Sequence, residues 1–380
     1  MKSKTHLVFI ESVDGHRLEY LHHIYIRACS DIANKYIFLL PKTFLKHKNL
    51  LDWPSFEHLR FCFMSDEDTI ICDCSNPIKK SWAINRILTK YAKNECVDTI
   101  FLISLILIMP FAPFFRYNAV ISGIIYKLYL YENKKCSFLK HWVDVVIFSL
   151  LSKSSRFKYV YILNDRESAA ELNRLYSTKR FLYLPDPVPV IDSKKLRNIR
   201  TDYNIPMENI VYLQYGTLDE RKNTITILEA IDKMPKETLM NRTFIFSGRV
   251  SSEIKHQFYE LVKKLESKAH ILVFEGFISY DLLNNLCYSS DIYLVLYNNT
   301  SQSSGTIGYA GYFNKSVIGS SQGLLGRLIK ENALGYTIDE INVDTVKDVL
   351  CRKCPALSSV YCETHTVEDF CNSLSLHFRP

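Results

Sequence analysis

Short apolar runs, polar turns and longer stretches with apolar residues at three- and four-residue steps alternate along the chain. That rhythm predicts strands feeding helices, and so parallel sheets covered on both faces. In the first half, runs at residues 6–10, 36–40, 119–125, 159–163 and 180–184 predict strands, with weaker ones at 60–64 and 69–72. Leu18, Leu21, Ile24, Tyr25 and Ala28 share one face of a helix predicted over 17–33. Further helices are predicted over 79–92 and 138–151, and after the cap Asn164-Asp165. Strand, loop, helix, strand is the opening of a Rossmann-like sheet, here without the GxGxxG fingerprint of a dinucleotide enzyme. Pro185, Pro187 and Pro189 end a strand and predict a linker.

The second half is more regular. Strands are predicted at 210–215, 243–247, 271–274, 292–296 and 316–319, and helices at 224–234, 253–267, 280–288 and 306–313, with another after residues 322–326. A last helix over 367–376 is expected to pack back on the first domain. The expected division is an amino-terminal domain at 1–188, a second at 189–348 and a tail at 349–380.

Composition narrows the class. The chain has 380 residues, 47% hydrophobic and 23% charged, with formal net charge +7, as expected of a two-domain globular protein. It has no arginine-rich block or zinc-finger spacing, so no nucleic-acid partner is expected. Residues 1–10 lack the long apolar core of a secretory signal. With 11 cysteines, this implies reduced thiols and a cytoplasmic protein. Residues 97–115 form the most apolar run, broken by Pro110 and Pro113 and shorter than a spanning helix needs. It reads first as a buried strand plus loop, alternatively as a patch that dips into the lipid interface on the inner face of the cell membrane, and last as a transmembrane helix. Cys351, Cys354, Cys362 and His365 match a zinc set in residue type but not in spacing, and free thiols are the expected reading. Asp66-Glu67-Asp68 reads as a solvated turn.

The candidate chemistry sits where strands end. The loops at 216–223, 248–249, 275–277 and 303–305, with 323–326, each follow a strand and share one rim of the second sheet. Glycines and helix starts offer main-chain N–H groups to an anion, and Arg221 and Lys222 add charge. That suits the diphosphate of a nucleotide-sugar. The competing reading is ordinary strand-to-helix turns with a solvated Arg221 and Lys222.

Taken in order, GTLDERKN, FIFSGR, FEGFIS, YSSDIYLVLY and SSGTIGYAGYFNKSVIGSSQGLLGRLI resemble the carboxyl-terminal domain of GT-B glycosyltransferases. The likeness is to glycosyltransferase family 4, of the bacterial cell-surface polysaccharide type. It covers residues 210–338 well and the first domain in outline; Tyr183-Leu-Pro-Asp-Pro-Val188 resembles the hinge entry. The resemblance implies an α/β protein with two Rossmann-like domains facing each other across a cleft. It implies retaining transfer of a hexosyl group from a nucleotide-sugar to a saccharide or lipid-linked saccharide. It implies no cofactor and no metal.

By the same resemblance, Lys222 matches the lysine that binds the donor phosphates, with Arg221, Ser303, Ser304, Gly305 and Thr306 beside it. Gly216, Arg249, Phe277, Gly323 and Leu324 complete the donor side. Thr217 stands where family members often have arginine. The family's paired glutamates fall at Ser301 and Tyr309, neither of them acidic. Gly15 and His16 lie on the acceptor side, His16 being the candidate catalytic residue against an ordinary structural role. The alternative is a non-catalytic binding or scaffold relative. An epimerase or oxidoreductase would need a dinucleotide fingerprint or a Tyr-x-x-x-Lys pair, and neither occurs in a suitable place.

Overall fold

The structure, a computed structural model, describes residues 3–13, 16–131, 138–353 and 360–378. Two compact units divide the chain: residues 1–186 with 367–380, and residues 187–366.

The first unit is built on seven parallel strands. They are β1 (Thr5–Phe9), β2 (Lys35–Leu40), β3 (Leu59–Phe63), β4 (Thr99–Leu102), β5 (Val120–Ile125), β6 (Phe157–Leu163) and β7 (Phe181–Leu184), in the order β3-β2-β1-β4-β5-β6-β7. Both faces are buried, and the period of two sorts each strand between two cores. Leu7 and Phe9 join Ile84, Ile87 and Leu88 of the helix Pro77–Asn94. Val8 and Ile10 join Leu18, Leu21 and Ile24 of the helix His16–Cys29. The closing helix Val367–Phe378 adds Phe370, Leu374 and Phe378 to this second core.

The second unit has six parallel strands, β8 (Ile210–Tyr215), β9 (Arg242–Gly248), β10 (His270–Glu275), β11 (Ile292–Val295), β12 (Ser316–Ser320) and β13 (Gly335–Ile338). Their order is β10-β9-β8-β11-β12-β13. Tyr212, Phe244, Phe246 and Leu294 face the helices Thr224–Asp232, Lys255–Leu265 and Val343–Leu350. Val211, Leu213, Ile245 and Val295 face the helices Tyr280–Ser289, Gly305–Phe313 and Gly323–Glu331.

Two sequence expectations fail here. Residues 69–72 are not a strand. They end the helix Asp66–Cys72, whose N-cap Ser65 accepts from Asp68 N at 3.1 Å. Asp66, Glu67 and Asp68 are its first turn rather than a loop, and carboxylates suit the positive end of the helix dipole. The helix expected over 17–33 stops at Cys29, where Asn34 and Tyr36 both donate to the Asp31 carboxylate and hold a turn. Residues 97–115 supply the buried β4, then short 3-10 turns at Leu105–Ile108 and Ala112–Phe114. Among the described residues, no helix is long and apolar enough to cross a membrane.

Candidate functional site

Both sheets reverse their winding between the first strand and the fourth, a point where the connections leave in opposite directions and open a crevice at the strands' carboxyl ends. In the second unit that point lies between β8 and β11. Three glycines end the neighbouring strands: Gly216 after β8, Gly248 closing β9 and Gly276 after β10. Their φ values are +90°, +135° and +98°, a region open to glycine and costly for other residues. They form a row: Gly216 N donates to Ser247 O at 2.9 Å and Gly276 N to Gly248 O at 3.1 Å. A Cβ on Gly248 would lie 1.8 Å from Gly216 O, whereas one on Gly276 would meet nothing within 4 Å.

Lys222 lies beside the first glycine of this row, its Nζ 2.7 Å from where a Cβ on Gly216 would stand. Asp219 caps the short turn Glu220–Lys222, accepting from Lys222 N at 3.0 Å, and so turns the lysine inward. Its side chain is 7% exposed, and Nζ donates to Tyr215 O at 2.6 Å. Nζ also lies 5.3 Å from the Tyr297 ring centroid, and the Arg221 guanidinium lies 5.8 Å from it. Arg221 is exposed, at 3.4 Å from Asp219. Burial alone would raise the Tyr297 pKa. The Lys222 ammonium, hydrogen bonds involving Thr306 and Ser304, and Arg221 outweigh burial and lower it. Tyr297 Oη and Thr306 Oγ1 are 3.3 Å apart.

The two loops at the switch point are stitched together. Asn223, left-handed at φ +53°, donates from Nδ2 to Leu296 O and to Asn298 Oδ1, both at 2.8 Å. Asn298 N donates to Arg221 O at 2.8 Å. Ser304 caps the helix Gly305–Phe313, accepting from Thr306 N at 3.3 Å. Beside it, the helix Gly323–Glu331 starts without a side-chain cap. Gly323 is required there because a Cβ would lie 2.5 Å from Thr300 Oγ1.

The structure therefore brings Gly216, Arg221, Lys222, Ser304, Gly305 and Thr306 together around Tyr297, while Ser303 precedes the cap, half-buried. Thr217 is half-buried on the β8 loop. Arg249 is exposed, and its carbonyl accepts from Leu218 N at 2.9 Å. Phe277 is 83% exposed beyond Gly276. Leu324 is buried. Ser301 and Tyr309 are both buried, Tyr309 standing edge-on to Tyr215. Tyr297, Asn223 and Asp219 escaped the sequence reading. Asp219 carried a signal, an Asp three residues before the lysine it caps.

In the first unit, Gly15 lies outside the described residues, and of His16 only the backbone is described, as the first residue of its helix. The loop after β1 instead presents Glu11, 3% exposed, with Arg17 Nη1 at 2.5 Å from its carboxylate. Nearby, Tyr20 Oη donates to Asp186 Oδ1 at 2.6 Å. Neither Glu11 nor Arg17 was singled out from sequence, although a charge directly after an apolar strand is a signal.

Of the candidate zinc set, Cys354 lies outside the described residues. The Cys362 thiol donates to Gly311 O at 2.7 Å, and His365 stacks on Tyr361 at 3.8 Å. Among the described residues no group of three metal-ligating side chains occurs.

Residues 196–351 match the family described as glycosyl transferases group 1, a match that falls within the second unit. No curated protein matches the chain in sequence. Several solved structures share the fold over nearly the whole chain. WaaG, a glycosyltransferase involved in lipopolysaccharide biosynthesis, is 12% identical with a TM-score of 0.64, over 98% of this chain and 94% of its own. Anabaena HepE, solved with UDP and glucose, is 10% identical with a TM-score of 0.67, over 99% of each chain. A putative UDP-N-acetylglucosamine 2-epimerase from Listeria monocytogenes is 9% identical with a TM-score of 0.64, over 99% and 97%. Two Rossmann-like units of this strand order, with these neighbours, give the chain the GT-B fold, and its second unit matches glycosyl transferases group 1.

Proposed function

We propose that the protein is a glycosyltransferase that moves a hexosyl group, with retention, from a nucleoside-diphosphate sugar to a saccharide or lipid-linked saccharide in cell-surface polysaccharide synthesis. The observation that carries this reading is the Lys222 ammonium beside Gly216, the first of the three strand-end glycines, within the segment that matches glycosyl transferases group 1. Glycines open the main chain to a close-approaching anion. The starts of helices Gly305–Phe313 and Gly323–Glu331 direct N–H groups at it, and Lys222 adds a full charge. In the reaction, the bond from the anomeric carbon to the diphosphate breaks and a bond to the acceptor oxygen forms. The acceptor's proton passes to a departing phosphate oxygen. The protein's part is to stabilise the charge growing on that diphosphate. No metal or cofactor is invoked, and the first unit would take the acceptor.

The test is a panel of nucleotide-sugars scored by thermal stabilisation, followed by nucleoside diphosphate release from whichever donor binds. A donor that raises the melting temperature and is turned over meets the proposal; absence of any stabilisation sinks it. One observation favours a second reading, a binding protein without turnover: buried Ser301 and Tyr309 stand where the resembled family has its glutamates. Stabilisation without diphosphate release would select it.

A further inference from the structure

The two halves of the candidate site meet on one side chain, Tyr297. It lies just beyond β11, the strand that pairs with β8 at the switch point, and is 6% exposed. On one side stand the cations of the loop after β8: Lys222 Nζ is 5.3 Å and the Arg221 guanidinium 5.8 Å from the ring centroid. On the other side, Oη is 3.3 Å from Oγ1 of Thr306, in the first turn of the helix Gly305–Phe313. Ser304, which caps that helix by accepting from Thr306 N, also hydrogen-bonds the phenol. One side chain therefore spans from the ammonium to the helix start. Phenylalanine would supply the ring and a cation–π contact; only the hydroxyl ties the two cations to Thr306 and Ser304.

The phenol is also the group that titrates against those cations. Burial opposes its ionisation, but the Lys222 ammonium, the hydrogen bonds with Thr306 and Ser304, and Arg221 outweigh burial and bring it below the ordinary phenol range. Tyr215 on β8 is a second phenol close enough to interact with it. Asp219 and the exposed Glu220 are the carboxylates of the cation loop, Asp219 lying 3.4 Å from Arg221. A phenolate and a diphosphate would compete for the same two cations. Bound diphosphate must then hold the phenol protonated, and by linkage an ionised phenol must weaken diphosphate binding by the same factor.

We infer that Tyr297 is a positioning residue of the donor site: its ring seats Lys222 and Arg221, its hydroxyl ties them to the start of the helix Gly305–Phe313, and it keeps its proton while a diphosphate is bound. This rests on the reading that the site takes a nucleoside diphosphate. It adds that binding there is linked to the proton of a single phenol.

The experiment compares the full chain with Tyr297→Phe and with Tyr288→Phe, the latter an exposed tyrosine of the helix Tyr280–Ser289. UDP, GDP, ADP and dTDP are titrated by calorimetry from about pH 7 to 10, with inorganic pyrophosphate as the probe without a base. At about pH 7, Tyr297→Phe should bind the diphosphate roughly 2- to 10-fold more weakly, the loss of one hydrogen bond. As pH rises and the phenol ionises, affinity of the parent and of Tyr288→Phe should fall by about tenfold, the equivalent of one unit in pKa. Tyr297→Phe should lack that step. A second arm follows phenol ionisation by ultraviolet absorbance. The chain has 24 tyrosines, and the difference between parent and Tyr297→Phe isolates one of them. Saturating pyrophosphate should move its titration up by about one pH unit. If Tyr297→Phe does not fold, the parent with and without pyrophosphate decides by the same shift. Parallel pH profiles in parent and Tyr297→Phe would overturn the inference even if the variant melts earlier, since a tyrosine that only packs changes stability and not this slope. So would a phenol titration that pyrophosphate leaves unmoved. A parent that binds none of the probes removes the donor reading and this inference together, whereas binding with parallel profiles removes this inference alone.

Discussion

Replacing Lys222 with methionine keeps an unbranched apolar stem and removes the ammonium, both its charge and its donors. In the folded protein Nζ spends one of its three donors on Tyr215 O, at 2.6 Å, and rests 5.3 Å from the Tyr297 ring. Losing the hydrogen bond costs about 1.5–3 kcal/mol and losing the cation–π contact roughly 0.5–2. Against that, the Lys222 ammonium sits on a residue only 7% exposed and carries a desolvation penalty, on the order of a few kcal/mol, that methionine removes. The net change in stability should be within about 1 kcal/mol of zero. The diphosphate has no such offset. One charge-assisted contact of about 1.5–3 kcal/mol predicts nucleoside diphosphate binding weakened roughly 10- to 150-fold, measured by calorimetry. The growing charge in transfer predicts a further loss in kcat of up to about a hundredfold or more. A third readout is independent of ligand: with the ammonium gone, the Tyr297 phenol should titrate at higher pH, followed by ultraviolet absorbance. A variant whose Tyr297 titration moves while diphosphate affinity stays within about twofold of the parent would refute the assignment of Lys222 to the donor phosphates.

Other consequences can be measured on the free protein. Gly248→Ala, at φ +135° and driving a Cβ against Gly216 O, should cost about 3 kcal/mol or more in denaturant titration, whereas Gly276→Ala, at φ +98° in open space, should cost only about 1. Burial lowers the His6 pKa from 6.5 to about 4, so unfolding binds a proton between those values; stability is full above about pH 6.5 and should fall by about 3 kcal/mol by pH 4. His6→Gln should flatten that window in melts run from pH 7 to 4. Arg242 donates to the carbonyls of Thr238, Leu350, Cys351 and Arg352, closing the helix Val343–Leu350. Arg242→Met should strand them at a cost of about 2–3 kcal/mol and speed amide exchange in that helix.

Most strands were legible within a residue or two because each apolar run is bounded by polar or glycine positions, though β13 was missed and β4 was placed only within residues 97–115. One misreading is instructive. Thr69-Ile-Ile-Cys72 has strand composition, yet Ser65 caps a helix through it. Local hydrogen bonding overrode propensity. The start of the helix Pro77–Asn94 had a readable signal in Asn76-Pro77, a cap followed by proline at the first helical position. What sequence does not carry is adjacency between elements far apart in the chain. Tyr297 meets Lys222 only because β11 pairs with β8 rather than with its sequence neighbour β10. Nor does apolar strength tell which residues a neighbouring element covers. Residues 99–105 form a stronger apolar run than the one around Ile78 and Trp82, and the core takes the first and leaves the second exposed.

The shared winding of the two sheets makes their difference informative. The residues that leave β8, β9 and β10 are Gly216, Gly248 and Gly276, all at positive φ. Their counterparts in the first sheet, matched by the same main-chain hydrogen bonds, are Ile10, Leu40 and Met64, all buried. A row of glycines leaves the main chain at three strand ends uncovered by side chains, whereas Ile10, Leu40 and Met64 cover the same positions. A ligand can therefore approach the main chain more closely at the second sheet's strand ends than at the first's. What the first sheet offers at its own switch point is a side-chain pair, Glu11 with Arg17. A carboxylate and a guanidinium suit hydroxyls, not a diphosphate. The assignment of donor to the second unit and acceptor to the first thus has a physical basis apart from resemblance. Glu11→Gln tests it: nucleoside diphosphate affinity should hold while transfer to a saccharide acceptor falls, and the reverse pattern would exchange the two roles.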